Sequence, residues 1–258
     1  MARVLAISSQ VVYGPVGLNC IVPALQSGGH EVLAFPTILL SNHPGHGKPE
    51  GRANTPSELT AMIGALEKLG AFENLDAVIT GYFASADQIE IVAALVTRLN
   101  SKIVLVDPVL GDHGKLYVGQ AVADAIRDQL LPLATILTPN AFELSWLTGL
   151  PTQNSVEAIE AAKSLKVDVV IATSVVKTAG ELSTLHISGV QVETITSPIE
   201  VKVPNGTGDF LSGLYLSGLL SDTPKSAFAN AMRLLQRAIA RSKGTSVLDV
   251  KPELSRKP

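Results

Sequence analysis

Short apolar runs bounded by turn residues alternate along the chain with longer segments of helical period. The first run, 3–7, is followed by Val16, Leu18, Ile21, Val22 and Leu25, whose spacing predicts a helix over about 17–26. Further runs at 31–36, 76–80, 102–107, 134–138 and 168–173 read as buried strands, each followed by a helical stretch or a loop. That rhythm predicts an α/β fold around a mostly parallel sheet. After Thr173 the pattern changes: 182–187 and 190–195 predict a hairpin around Ser188-Gly189, an antiparallel addition to the sheet. Two closing helices are predicted over 207–220 and 225–243, separated by Ser221-Asp222-Thr223-Pro224, which supplies a cap and a helix-starting proline. Residues 37–56, rich in Gly, Pro, His and Asn, predict a long irregular segment of the kind that serves as a lid or binding loop.

Composition narrows the class. With 258 residues, 46% hydrophobic and 17% charged, the chain can bury a sizeable core, and 1–258 is expected to form a single domain. A net charge of -3 without a long basic block argues against nucleic acid or an anionic membrane as partner. The one cysteine, Cys20, excludes an intrachain disulfide and any multi-cysteine metal site, and its place in an apolar helical pattern reads as core. His30, His46, His113 and His186 have no metal-ligand spacing and read as solvent-facing or packing residues. The N-terminal apolar run is too short for a signal peptide and no apolar stretch reaches bilayer length, so a cytoplasmic location is expected.

The stretch richest in chemistry is Val203-Pro204-Asn205-Gly206-Thr207-Gly208-Asp209-Phe210, which runs directly into the helical pattern of Leu211, Leu214, Tyr215 and Leu219. Small residues at a helix N-terminus leave first-turn amides free to meet an anion, and the helix dipole favours it. Asp209 at that same end can take a proton from a substrate alcohol while the amides of Gly206, Thr207 and Gly208 hold a transferred phosphoryl group. In the plainer alternative, Asp209 caps the helix and the glycines shape a loop.

In a doubly wound sheet ligands collect beyond the C-terminal strand ends. The residues there are Ser8-Ser9-Gln10, Gly81-Tyr82, Asp107-Pro108-Val109-Leu110-Gly111-Asp112, Thr138-Pro139-Asn140 and Thr173-Ser174, which can line one crevice with the cradle. Asn140 and Glu143, three apart at a helix start, read on their own as a capping box. Neither a Gly-x-Gly-x-x-Gly dinucleotide fingerprint nor a Gly-x-x-x-x-Gly-Lys-Ser/Thr loop is present.

Gly206-Thr207-Gly208-Asp209 opening a late helix resembles the anion-hole and base signature of the ribokinase-like superfamily. Val203-Pro204 stand where the usual superfamily pattern has an Asp-Thr pair, which the pyridoxal kinases within the superfamily also lack. Residues 9–19, beginning Ser9-Gln10-Val11-Val12-Tyr13-Gly14, and Leu40-Ser41-Asn42-His43-Pro44-Gly45 resemble the pyridoxal kinase patterns Ser-His-Val-Val-x-Gly-x-x-Gly-Asn and Phe-Ser-Asn-His-Thr-Gly. Gly81-Tyr82 resembles that family's Gly-Tyr step, and Thr138-Pro139-Asn140-x-x-Glu143 resembles the superfamily's Asn-x-x-Glu element, which positions magnesium and phosphate. The resemblance spans most of the chain.

What it implies is a ribokinase-like three-layer α/β/α sandwich with an antiparallel edge hairpin, transferring the γ-phosphoryl group of ATP to pyridoxal, with pyridoxine and pyridoxamine as further candidate substrates. Asp209 is then the base facing the 5′-hydroxymethyl, with Ser9, Val16, His43 and Tyr82 around the vitamer ring. Asp107 and Glu143 serve Mg2+, and Asp112, Tyr117, Thr138, Asn140, Thr173, Ser174 and the cradle Gly206, Thr207 and Gly208 serve the nucleotide. A monovalent cation such as K+ and a homodimer are further implications. Gln10 in place of the family's His, Pro44 in place of its Thr, and the missing aromatic after the Ser-Asn-His loop bear on substrate preference. Two rivals share the fold: a hydroxymethylpyrimidine kinase, and a regulator that binds ligand without turnover.

Overall fold

The computed structural model describes residues 1–178, 180–198 and 203–251. In chain order the elements are β1 (Arg3–Tyr13), α1 (Leu18–Ser27), β2 (Glu31–Asn42), β3 (Gly51–Ala53), α2 (Pro56–Lys68), β4 (Ala77–Thr80), α3 (Ala86–Leu99) and β5 (Ile103–Val106). There follow β6 (Gly111–Asp112), β7 (Lys115–Leu116), α4 (Gln120–Ala125), β8 (Ile136–Leu137), α5 (Ala141–Thr148), α6 (Ser155–Ser164), β9 (Val169–Thr178), β10 (Glu181–Ser188), β11 (Gln191–Pro198), α7 (Thr207–Leu219) and α8 (Pro224–Arg241).

Nine of the strands form one sheet in the order β11-β10-β9-β8-β5-β4-β1-β2-β3. From β2 to β9 the pairing is parallel, and an antiparallel strand or hairpin closes each edge. Alternation along β1 sends Leu5 and Ile7 to one face and Val4 and Ala6 to the other, so the sheet separates two apolar cores. Helices α2 to α6 bury one face, while α1, α7 and α8 bury the other. The result is the three-layer α/β/α sandwich that the resemblance implied.

The structure corrects the sequence reading in three places. Residues 37–56 are not irregular: β2 continues to Asn42 and returns as β3, joined through a short 3-10 turn at Pro44–His46. Most of the turn-forming residues belong to the tip of this flap, and Ile38, Leu39 and Leu40 pair with 51–53 as ordinary strand. β1 likewise runs on to Tyr13, past a register shift between Ser8 and Gln10 that breaks the alternation a strand leaves in sequence. The β10–β11 turn sits one residue later than expected, at Gly189-Val190, because Ser188 pairs with Gln191 and Gly189 takes the positive φ of 57°.

Candidate active site

The cradle is built where the chain enters α7. Gly206 is the N-cap in left-handed conformation at φ 91°, and no side chain caps the first turn. A Cβ on Gly206 would run into the Pro15 carbonyl oxygen, so this glycine is demanded by the fold. Gly208 differs: a Cβ there would meet nothing within 4 Å, and its backbone needs no glycine. Open space therefore lies beside Gly208 in the first turn.

Asp209 sits beside that space, largely enclosed. Its carboxylate accepts its own amide and the amide of Gly17, the N-cap of α1, and burial pushes its pKa up to about 6 against the pull of those donors. A Cβ on Gly81 would stand 3.8 Å from Asp209 Oδ1, which places the ends of β1 and β4 next to the carboxylate. Beneath the cradle, the buried Cys20 thiol donates to the Pro15 carbonyl oxygen at 3.1 Å, and burial followed by Asp209 pushes its pKa up.

The other acids occupy the middle of the crevice. Asp107, just beyond β5, is buried and accepts Ser212 Oγ at 3.0 Å. Burial, then the nearby Asp209 and Glu143 carboxylates, hold its carboxyl well above the usual range. Glu143 completes a full capping box with Asn140: Oε2 accepts the Asn140 amide at 2.9 Å, and Asn140 Oδ1 accepts the Glu143 amide at 3.0 Å. The same pair also pins the neighbouring segment, since Glu143 Oε1 accepts the Leu110 amide at 2.8 Å and Asn140 Nδ2 donates to the Gly111 carbonyl at 2.8 Å. Burial is the dominant influence on Glu143 and pushes it up to about 7. Among the described residues no three His, Cys, Asp or Glu side chains form a ready-made metal cage.

Asp112 and Tyr117 lie farther out. Asp112 Oδ1 accepts the His113 amide at 2.7 Å, the Tyr117 side chain is exposed, and the Tyr117 amide donates to the Leu110 carbonyl at 2.8 Å. Thr173 donates its amide to the Pro139 carbonyl at 2.9 Å, and Ser174 follows at φ 53°. Between them β9 bulges, because Ala172 pairs with Leu185 while Val176 pairs with Ser183, leaving three residues opposite Thr184 alone. No sequence signal announced this bulge, which turns Thr173 and Ser174 out of the strand's regular alternation.

At the other end, Ser8 Oγ accepts the Tyr82 amide at 3.1 Å and Thr37 Oγ1 donates to the Tyr82 carbonyl at 2.7 Å, clamping that residue between β1 and β2. Burial pushes the Tyr82 hydroxyl up. Ser9 is buried against Gly17, and Val16 is buried in the same turn. Gln10 Nε2 donates to Asn19 Oδ1 at 2.7 Å, so the residue that departs from the family pattern is tied to the start of α1. His43 caps the flap turn, its Nδ1 accepting the Gly45 amide at 3.1 Å, and burial followed by His46 lowers its pKa. A Cβ on Gly45 would stand 2.6 Å from Asn205 Nδ2, so the flap tip reaches the cradle. Ser9 therefore adjoins the Gly17 turn beside Asp209, the Tyr82 backbone adjoins Ser8, and His43 belongs to the flap whose tip reaches Asn205. The sequence reading gave no role to Gly17, present there only within the family pattern, or to Ser212.

Comparisons with known proteins agree on one group. The family described as phosphomethylpyrimidine kinase matches residues 60–250. The chain is 34% identical over 250 residues to the pyridoxine/pyridoxal/pyridoxamine kinase of Bordetella avium, covering 92% of this chain and 84% of that protein. Pyridoxal kinase from Entamoeba histolytica superposes with a TM-score of 0.93 at 29% identity, over 99% of this chain and 96% of that one. Pyridoxal kinase from Leishmania donovani, solved with ADP and pyridoxine, gives 0.87 at 29% identity, over 97% and 90%.

Proposed function

This chain belongs to the phosphomethylpyrimidine kinase family, and we propose that within it the chain is an ATP-dependent pyridoxal kinase, making pyridoxal 5′-phosphate in vitamin B6 salvage. The observation that supports this reading is the place of Asp209 in the uncapped first turn of α7, with Gly17 and Gly81 beside its carboxylate and the flap tip reaching Asn205. A vitamer needs a polar group for its ring edge, apolar walls, and a hydroxymethyl aimed at a base. Ser9 meets the first need, Val16 and Tyr82 the second, and Asp209 the third, with His43 closing the edge from the flap.

Catalysis rests on positioning and on charge. Asp209, ionised above about pH 6, accepts the hydroxymethyl proton as the new oxygen–phosphorus bond forms. The amides at Gly206, Thr207 and Gly208 receive the negative charge of the transferring group, where their alignment costs no reorganisation. Asn140 and Glu143 fix the Leu110-Gly111 segment, and with it Asp112 and Tyr117, beside the nucleotide; Thr138, Thr173 and Ser174 complete that end. Magnesium held near Asp107 and Glu143 would supply charge neutralisation for the transferring phosphates. The buried acids fit a hard cation that keeps most of its waters: Asp107 offers a carboxylate, and Glu143 has about one of its four lone-pair sites left after three amide contacts. A supporting K+, a homodimer and a cytoplasmic setting are parts of the same proposal, drawn from the resemblance.

Hydroxymethylpyrimidine, a similar ring alcohol, is the competing substrate. The deciding assay follows ATP consumption and product mass over pyridoxal, pyridoxine, pyridoxamine and hydroxymethylpyrimidine. The proposal expects phosphorylated pyridoxal as the best product. Preference for hydroxymethylpyrimidine reassigns the substrate, and binding without ATP turnover makes the chain a regulator.

A further inference from the structure

We propose that Ser212 is a positioning residue that holds Asp107 for the metal-nucleotide end of the site. Ser212 lies inside the apolar helix α7, three residues after Asp209, and is 1% exposed. A buried helical serine commonly returns its hydroxyl to the carbonyl one turn back. This one instead reaches across to the sheet, giving its proton to Asp107 Oδ2 at 3.0 Å and standing 2.9 Å from Thr138 Oγ1. A hydroxyl has one proton to give, so with that proton on Asp107 it is Thr138 that donates within the Thr138–Ser212 pair.

Three segments far apart in sequence are thereby tied at one point: the end of β5 through Asp107, the end of β8 through Thr138, and α7 through Ser212. The contact has two consequences. It fixes one oxygen of the Asp107 carboxylate, and so the plane of the other. It also fixes the rotation of α7 about its axis one turn below Asp209, on the face that turns toward the crevice. The Thr138 hydroxyl acts within this network, because it is buried and already engaged.

The inference rests on the reading of Asp107 as an acid of the metal-nucleotide end, and the test separates the two. Magnesium is titrated calorimetrically into the enzyme–ADP complex for the wild type, Ser212→Ala, Asp107→Ala and the double variant, with pyridoxal KM and thermal unfolding measured alongside. Loss of one hydrogen bond to a charged group predicts about tenfold weaker magnesium binding in Ser212→Ala, with pyridoxal KM unchanged. In the Asp107→Ala background, Ser212→Ala adds nothing further, since its action runs through Asp107. Should Asp107→Ala fail to fold, Asp107→Asn, which keeps the shape and removes the charge, takes its place in the cycle. Wild-type magnesium affinity in Ser212→Ala beside a weakened Asp107 variant overturns the role of Ser212 alone. Wild-type affinity in the Asp107 variant overturns the reading of Asp107 and this inference with it.

Discussion

Adding a methyl group at Gly208 separates a glycine kept for the fold from a glycine kept for a ligand. Gly206 and Gly208 stand two residues apart, yet their surroundings are opposite. At Gly206 an alanine must hold φ near 91° and push its Cβ into the Pro15 carbonyl. The left-handed backbone costs about 1–2 kcal/mol and the overlap roughly 1–3 kcal/mol. Gly206→Ala should therefore melt about 4–20 °C lower, at about 2–4 °C per kcal/mol for a chain of this size. At Gly208 the same Cβ enters empty space from a helical backbone. Alanine there removes unfolded-state freedom and should stabilise by about 0.5–1 kcal/mol, raising the melting temperature by about 1–4 °C. If that space receives the transferring phosphoryl group, the new methyl displaces it from the first-turn amides, and losing one such donor costs about 10²-fold or more in kcat. The pair is checked by thermal melts and by pyridoxal-dependent ATP consumption. A Gly208→Ala protein that melts higher and turns over at the wild-type rate refutes the assignment of this space to phosphate.

Two further predictions concern Asp209. Because burial raises its pKa to about 6, kcat/KM for pyridoxal should rise about tenfold per pH unit up to that value and level off above it, where the carboxylate is ionised and able to accept a proton; a pH–rate profile that is flat from pH 5 to 8 contradicts the role. Gly17→Ala, which drives a Cβ into Ser9 and displaces the amide that Asp209 accepts, should lower kcat about 10–100-fold while leaving the KM for ATP near wild type, and steady-state kinetics with both substrates decide it.

The sequence makes some of this plain and hides the rest for definite reasons. The central parallel strands are almost wholly buried, so 77–79 and 103–106 stand out as short unbroken apolar runs. Gly206 to Asp209 and Asn140 to Glu143 are contiguous in the chain, so the helix starts that carry them can be read directly. The long tails of β1 and β2 lie beyond the covered part of the sheet, where Val12, Tyr13 and Leu39 are exposed and no core enforces an alternating pattern. Gly and Pro in the flap tip then mask the strands on either side of it. Ser212 is hidden because its partners, Thr138 and Asp107, are 74 and 105 residues away, and a lone serine in an apolar helix has no signature of its own. Gly17 contributes a backbone amide to Asp209, which no side-chain pattern can announce.

Turnover of Asp209→Asn, a change that preserves shape and removes the proton acceptor, tests the base role most directly. With ADP affinity and melting behaviour close to wild type, its kcat for pyridoxal phosphorylation should fall about 10²–10⁴-fold. Turnover at the wild-type rate contradicts the base assignment and, with it, the catalytic arrangement built around the α7 cradle.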